Sequence, residues 1–251
     1  MAHENISHNT ESYLANLSSD SIIGILGGMG PEATIYLYNL ILHATPAQRD
    51  QDHIHTIINS NPKIPNRVKS IINKEHGVIV ETLVQDARRL AQAGANILLL
   101  PCNTAHYYHH TIQEKIEVPI ADMVKLTASY VDSLDVKKIG LFGHAHLYNW
   151  VYKDRFSRYG IEIASPLVED QKIITNLIWD IKITGADEQK LASLQNVIRR
   201  IRKKERLNWI VLGCTELPLL FREKDLKSLQ LIDPMEVLVE KVVNAIKSEK
   251  Q

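Results

Sequence analysis

The chain has 251 residues, 45% of them hydrophobic and 23% charged, and Lys+Arg and Asp+Glu both number 29. That length and composition suit a soluble globular protein of one large domain or two small ones. A formal net charge of zero gives no electrostatic reason for a nucleic-acid or membrane partner, and no apolar run reaches the length of a membrane span.

Residues 1–20, MAHENISHNTESYLANLSSD, have neither the basic start nor the apolar centre of a secretory signal and read as a polar extension. A cytoplasmic location is therefore expected. With it, the two cysteines, Cys102 and Cys214, are expected as free thiols rather than a disulfide. From residue 21 short apolar runs alternate with longer amphipathic ones. SIIGILG (21–27) reads as a buried strand, and 31–45 as a helix opened by Pro31. Strands at 53–60, 96–101 and 118–123 follow, with helices over 77–95 and 104–116 between them. The pattern then restarts. A helix over 125–134 precedes a strand, KKIGLFG (137–143), then a helix over 146–160 and a strand at 161–166. Residues 170–206 read as helices broken near Gly185. Strands at 208–214 and 229–234 and a helix over 235–250 complete the chain.

Strand–helix alternation with continuous β-branched strands predicts an α/β protein whose sheets are mostly parallel and flanked by helices. The restart is an internal repeat. Gly24 and Gly140 occupy equivalent strands 116 positions apart, and Cys102 and Cys214 occupy equivalent strand ends 112 apart. Two pseudosymmetric lobes are expected, with the active site in the cleft between them. Residues 21–119 with 231–251 form the first lobe and 120–230 the second, the final helix crossing back to the first half.

In parallel sheets ligands bind beyond the carboxyl ends of the strands, where both cysteines lie. Each is followed by helix-capping residues: Asn103 and Thr104 after Cys102, Thr215 after Cys214. A helix N-terminus there would lower a thiol pKa. Two thiols on opposite sides of one cleft suit a two-base inversion: one thiolate takes a proton from carbon and the other thiol returns one to the opposite face.

PCNTAH (101–106) and GCTE (213–216) resemble the two cysteine motifs of the aspartate/glutamate racemase family. IGILGGMGPEAT (23–34), SNPKIPNR (60–67) and LIDPMEV (231–237) are similar to that family as well, and the resemblance covers roughly residues 21–250. It implies racemisation of an acidic amino acid, aspartate or glutamate, with no cofactor, in a homodimer. Cys102 and Cys214 would be the acid/base pair. The loop of Gly28, Met29 and Gly30 would present backbone N–H groups to a substrate carboxylate. Arg67 would hold the side-chain carboxylate bidentately. Asn103, Thr104 and Thr215 would bind the α-amino or α-carboxylate end, and Glu216 would orient the ammonium or support proton transfer.

Two stretches depart from the family pattern. GLFGHAHLYNW (140–150) carries His144 and His146 where many members have a Thr-rich loop, which makes His144 a candidate substrate contact. In YKDRF (152–156) Asp154 takes the place of a substrate-contacting lysine, with Lys153 one residue early as the nearest candidate. These departures keep two alternatives open: a maleate-isomerase-like enzyme, in which one cysteine attacks carbon, and a non-catalytic dicarboxylate-binding protein on the same fold.

Residues 28–33 formally match the G-x-G-x-x-A dinucleotide fingerprint, but the second strand ends in Asn59-Ser60 without the acidic residue that fingerprint needs. The pairs His53/His55 and His144/His146 and the group His106, His109 and His110 lack an accompanying metal motif. Neither a bound cofactor nor a metal is expected. RRIRKKER (199–206), without interleaved aromatics, reads as a solvated helix face.

Overall fold

Strands and helices alternate along the computed structural model, which describes residues 10–221 and 223–248. The first half runs α1 (Thr10–Leu14), β1 (Ile23–Gly27), α2 (Pro31–Ala44), β2 (Thr56–Ser60), α3 (Arg67–Ile72), α4 (Gly77–Gln92), β3 (Ile97–Leu99), α5 (His109–Gln113) and α6 (Met123–Ser133). The second runs β4 (Lys138–Phe142), α7 (Lys153–Ser157), β5 (Glu162–Ala164), α8 (Val168–Thr184), α9 (Glu188–Glu205), β6 (Ile210–Leu212), α10 (Glu223–Ser228), β7 (Leu231–Ile232) and α11 (Pro234–Lys247).

The strands form two sheets, in the orders β2-β1-β3 and β5-β4-β6-β7, and every pairing is parallel. A single parallel bridge, Leu98 to Ile120, extends the first sheet at the place β7 fills in the second. The two sheets therefore repeat one strand order, as the sequence offsets predict. Helices cover both faces, which is why β1 is buried at all five positions. Helix α4 lays Ile79, Leu83, Ala87 and Leu90 on one buried stripe. Asp187 caps α9 by accepting from the Lys190 N–H at 2.8 Å, just past the break at Gly185.

Three segments differ from the sequence expectation. Residues 118–123 contribute one bridge rather than a strand. The helix expected over 104–116 is a 3-10 turn, Thr104–Tyr108, followed by the short α5. The helix expected over 146–160 opens with a π turn at Tyr148–Tyr152. Polar side chains and short runs between apolar positions blur the helical period in the second and third. Sheet pairing also places Ile120 with the first sheet and Leu231–Ile232 with the second, slightly beyond the expected lobe boundaries.

The lobes are joined by an exchange of helices. Helices α6 and α11 close the two repeats, and each is capped by a buried aspartate. Asp122 accepts from the Val124 and Lys125 N–H groups, and Asp233 from the Met235 N–H. Helix α6 then packs against α7 of the second half, α11 against α2 of the first, and the two against each other. Cross-repeat bonds follow the same exchange. Arg155 of α7 donates to Asp122 at 2.8 Å, and Tyr36 of α2 donates to Asp233 at 3.0 Å. A single apolar core runs from β1 and α2 through α6 and α11 to β4 and β6.

The two aspartates differ electrostatically. Burial works to raise the Asp122 carboxyl, but Arg155, and then His109 and His106, outweigh it and hold it below the usual carboxylate range. Asp233 has only neutral partners, and burial pushes it up to about 6.

Gly28 shows where the backbone leaves no choice. Its φ is +94°, and a Cβ there would sit 2.3 Å from the Asn61 main chain. Gly28→Ala should therefore lower the free energy of unfolding by about 2 kcal/mol or more; urea titration reads this, and an unchanged midpoint would contradict it. A second expectation concerns pH. A carboxyl raised in the folded state carries no penalty below its unfolded pKa and the full penalty above its folded one. Between about pH 4 and 7 the wild type should lose about 3 kcal/mol relative to Asp233→Asn, whose amide oxygen keeps the cap and whose nitrogen donates to the Tyr36 hydroxyl in place of accepting from it. Urea titrations of both proteins at the two pH values measure the difference, and parallel behaviour would refute it.

Candidate active site

Each cysteine follows the carboxyl end of the equivalent strand of its repeat, β3 in the first and β6 in the second. Cys102 stands three residues beyond β3, and Cys214 two beyond β6. Both are free, both are buried, and both line one cleft between the sheets. The first half contributes Met29, Asn66, Arg67, Val68, Cys102, Asn103 and Thr104 to its walls. The second contributes His144, Trp179, Lys182, Gly213, Cys214, Thr215 and Glu216.

The first wall is held by main-chain contacts. Asn66 caps α3, accepting from the Lys69 N–H, and so presents Arg67 at the start of that helix. The Arg67 guanidinium donates through Nη1 to the carbonyls of Pro65 and Ile64 and through Nη2 to that of Met29 at 3.3 Å. Its Nε is buried with no hydrogen-bond partner among the described residues, and so is Asn103 Nδ2. Orphaned buried donors are rare because they cost about 1–3 kcal/mol each. Here both belong to residues of the cleft wall, which marks the cleft as a place for an acceptor.

Behind Cys102 a neutral imidazole fixes the chain. His106 Nε2 accepts from the Met123 N–H at 3.2 Å, so its Nδ1 donates to the Cys102 carbonyl at 2.9 Å. Burial brings its pKa down to about 4.

The second wall is more polar. The Cys214 thiol donates to Glu216 Oε2 at 2.8 Å, and Thr215 Oγ1 donates to the same oxygen at 3.3 Å. Lys182, reaching in from α8, forms an ion pair with Glu216 Oε1. Burial and then the Glu216 charge push the Cys214 thiol well above the ordinary thiol range, against the pull of Lys182. Burial lowers Lys182, but Glu216 and the cysteines outweigh it and the net direction is up, so the ammonium is retained. His144 sits edge-on to Trp179, ring centroids 6.2 Å apart, and burial with the nearby Lys182 charge pushes its pKa down. The Gln171 amide ties the His144 loop to α8 by donating to the Gly143 carbonyl at 2.8 Å.

Of the residues singled out in the sequence, the cleft gathers Met29, Arg67, Cys102, Asn103, Thr104, His144, Cys214, Thr215 and Glu216. Gly28, Gly30 and Lys153 are not among its lining residues. The Gly28 N–H is already taken by Thr34 Oγ1 at 2.9 Å, so it cannot serve a carboxylate. Lys153 is exposed, opening α7. The cation of the second wall is instead Lys182, with Trp179 one turn before it; neither was singled out. Their one sequence signal is a lysine set between Ile181 and Ile183 on a helix whose buried stripe ends at Ile181. The expected thiol-lowering helix ends are also absent: each cysteine precedes a 3-10 turn, Thr104–Tyr108 or Pro218–Leu220, too short for a sizeable dipole. His53 and His55 are exposed, and His146 stacks on Trp150 outside the cleft. Among the described residues no three His, Cys, Asp or Glu side chains cluster for a metal ion, and no helix is long and apolar enough to cross a membrane.

The sequence profile of Asp/Glu/hydantoin racemases matches residues 26–242. The chain belongs to that family. It is 26% identical over 202 residues to the broad specificity amino-acid racemase RacX of Bacillus subtilis, covering 78% of this chain and 86% of that one. Among solved structures it resembles the aspartate racemase of Picrophilus torridus, with a TM-score of 0.77, 26% identity, and coverage of 89% of this chain and 93% of that one. The fold also matches the glutamate racemase of Francisella tularensis, with a TM-score of 0.62, 18% identity, and coverage of 92% and 85%.

The thiol environment can be measured without any substrate. In Cys102→Ala the remaining thiol is Cys214, and its ultraviolet thiolate absorbance should rise only well above the ordinary thiol pKa of about 8.5. Adding Glu216→Gln keeps an acceptor but removes the charge, so the curve should move to lower pH. A curve that Glu216→Gln leaves in place would show that Glu216 does not act on the thiol.

Proposed function

We propose that the protein is an amino-acid racemase acting on an acidic substrate, aspartate or glutamate, by proton transfer through Cys102 and Cys214. The observation that carries this reading is the shared cleft: one thiol on each wall, with Arg67, whose buried Nε has no partner among the described residues, on the wall of Cys102.

One thiolate removes the Cα proton and becomes a thiol. The opposite thiol gives its proton to the other face of the carbanion and becomes the thiolate. Charge is conserved and no electrons are transferred. In the direction in which Cys102 is the base, Cys214, pushed up and bonded to Glu216, enters as the thiol; in the reverse direction it begins as the thiolate. Arg67 offers its unpartnered Nε, and a carboxylate that takes it pairs with the fork of the guanidinium. Asn103, Thr104 and Thr215 stand nearest the thiols in sequence and hold the α-carboxylate and α-ammonium. Lys182 neutralises Glu216 and supplies positive charge where the carboxylate of the carbanion gains density. The reading draws on the family and on the aspartate racemase likeness for an acidic substrate.

Positioned acid/base groups contribute about 10²–10⁴-fold, so Cys102→Ala and Cys214→Ala should each cut racemisation of aspartate or glutamate by that factor or more. Incubation of each enantiomer in D₂O, followed by NMR and chiral chromatography, reads both exchange and inversion. Wild-type turnover in either mutant would sink the two-thiol scheme. A substrate adduct trapped on Cys102 would move the reading to an isomerase, and dicarboxylate binding without exchange to a non-catalytic binder.

A further inference from the structure

Tyr152 has no place in the scheme above, yet it touches the site from behind. It ends the π turn Tyr148–Tyr152 of the second half and is fully buried, its ring 5.4 Å from that of Phe156. Its hydroxyl donates to Asn103 Oδ1, in the first half, at 2.5 Å. Burial, and then the Asp233 charge, push the phenol well above its ordinary pKa, so it stays a donor.

The consequence lies in Asn103. A carboxamide has an oxygen that accepts and a nitrogen that only donates. Tyr152 engages the oxygen. The nitrogen, on a residue of the cleft wall, is left buried and without a partner. Turning the amide over would leave the buried phenol proton without its one acceptor among the described residues, a loss of the same kind as an orphaned donor. The phenol therefore sets which end of the amide the cleft receives.

We propose that Tyr152 is a positioning residue: across the lobe boundary it locks the Asn103 amide with its N–H donors toward the cleft, where they take a carboxylate oxygen of the ligand. The amide orientation stands on the hydrogen bond alone; the assignment of the carboxylate rests on the racemase reading.

Tyr152→Phe removes one hydroxyl and keeps the ring against Phe156. Freed from the phenol, the amide can turn its oxygen inward. KM for the racemised amino acid should then rise about tenfold or more with kcat changed far less, because a uniform binding contact is lost. The affinity for succinate, a dicarboxylate with no reacting stereocentre, should fall in calorimetry by a similar factor. In an Asn103→Ala background, Tyr152→Phe should add nothing to either change, whereas a general structural role would add its effect in both backgrounds. An unchanged KM and succinate affinity, or full additivity, overturns the proposal. Wild type that exchanges no Cα hydrogen but loses succinate affinity in Tyr152→Phe would leave the positioning role standing and refute the racemase reading. Wild type that binds no carboxylate at all would overturn both. Should Tyr152→Phe not fold, NMR of the wild type gives the answer: the Asn103 side-chain amide protons shift on adding succinate if they face the cleft, and stay in place if they do not.

Discussion

Two buried aspartates hold the halves of the molecule in register. Asp122 and Asp233 stand at equivalent points of the repeat, each capping its closing helix, and each is bonded by a residue of the opposite half. Each cap lies about twenty residues beyond the cysteine of its own repeat, past the point where the chain has rejoined the sheet. Fixing the caps against the opposite half therefore fixes both strand ends toward one space. The apolar faces of α6 and α11 supply the attraction, at about 1.5–3 kcal/mol for each large side chain buried. Burial alone is non-directional. The capped carboxylates, which tolerate few alternative partners, give the helix exchange its geometry.

The same exchange accounts for the chemistry of the cleft. Each thiol is embedded in its own half, but its surroundings come from both. The Asn103 beside Cys102 is reached by Tyr152 of the second half, and Cys214 faces Met29 and Arg67 of the first across the cleft. Two cations, Arg67 and Lys182, meet one carboxylate, Glu216. That leaves a net positive charge before either thiol ionises, and a thiolate or a ligand carboxylate neutralises it. His144, kept neutral by burial and by Lys182, does not add to the charge. For the proposed racemisation, that balance would let a buried site hold an anionic intermediate without a large desolvation cost.

Much of this was legible in the sequence because the repeat carries it. Matching offsets for Gly24/Gly140 and Cys102/Cys214 disclosed two α/β units, and the strand ends placed both thiols. What stayed hidden depends on three-dimensional contacts that no local pattern reports. Lys182 lies 32 residues before Cys214 on a helix whose lysines look alike in sequence, and only the folded chain brings this one to Glu216. Lys153, chosen by proximity to a motif, opens α7 pointing to solvent because α7 turns its buried side, Phe156, to the core. The expected lowering of the thiols failed for Cys214 for a physical reason. The helices that would have supplied a dipole are single 3-10 turns, so burial and Glu216 decide the direction.

The repeat makes the thiols equivalent in position, but their surroundings are unequal. Cys214 has a carboxylate acceptor and an ammonium at hand; Cys102 has a neutral histidine on its carbonyl and an amide beside it. For the proposed racemisation this inequality is constrained. Enantiomers have the same free energy in an achiral solvent, so kcat/KM must be equal in the two directions at every pH, whatever the protein does to either thiol. The difference between the walls can appear only as parallel differences in kcat and KM, both lower or both higher by the same factor for one enantiomer, through unequal stability of the two bound states. An enzyme of this design cannot favour one enantiomer at equilibrium, but it can bind one more tightly and turn it over more slowly. The charge that surrounds Cys214 would serve that end.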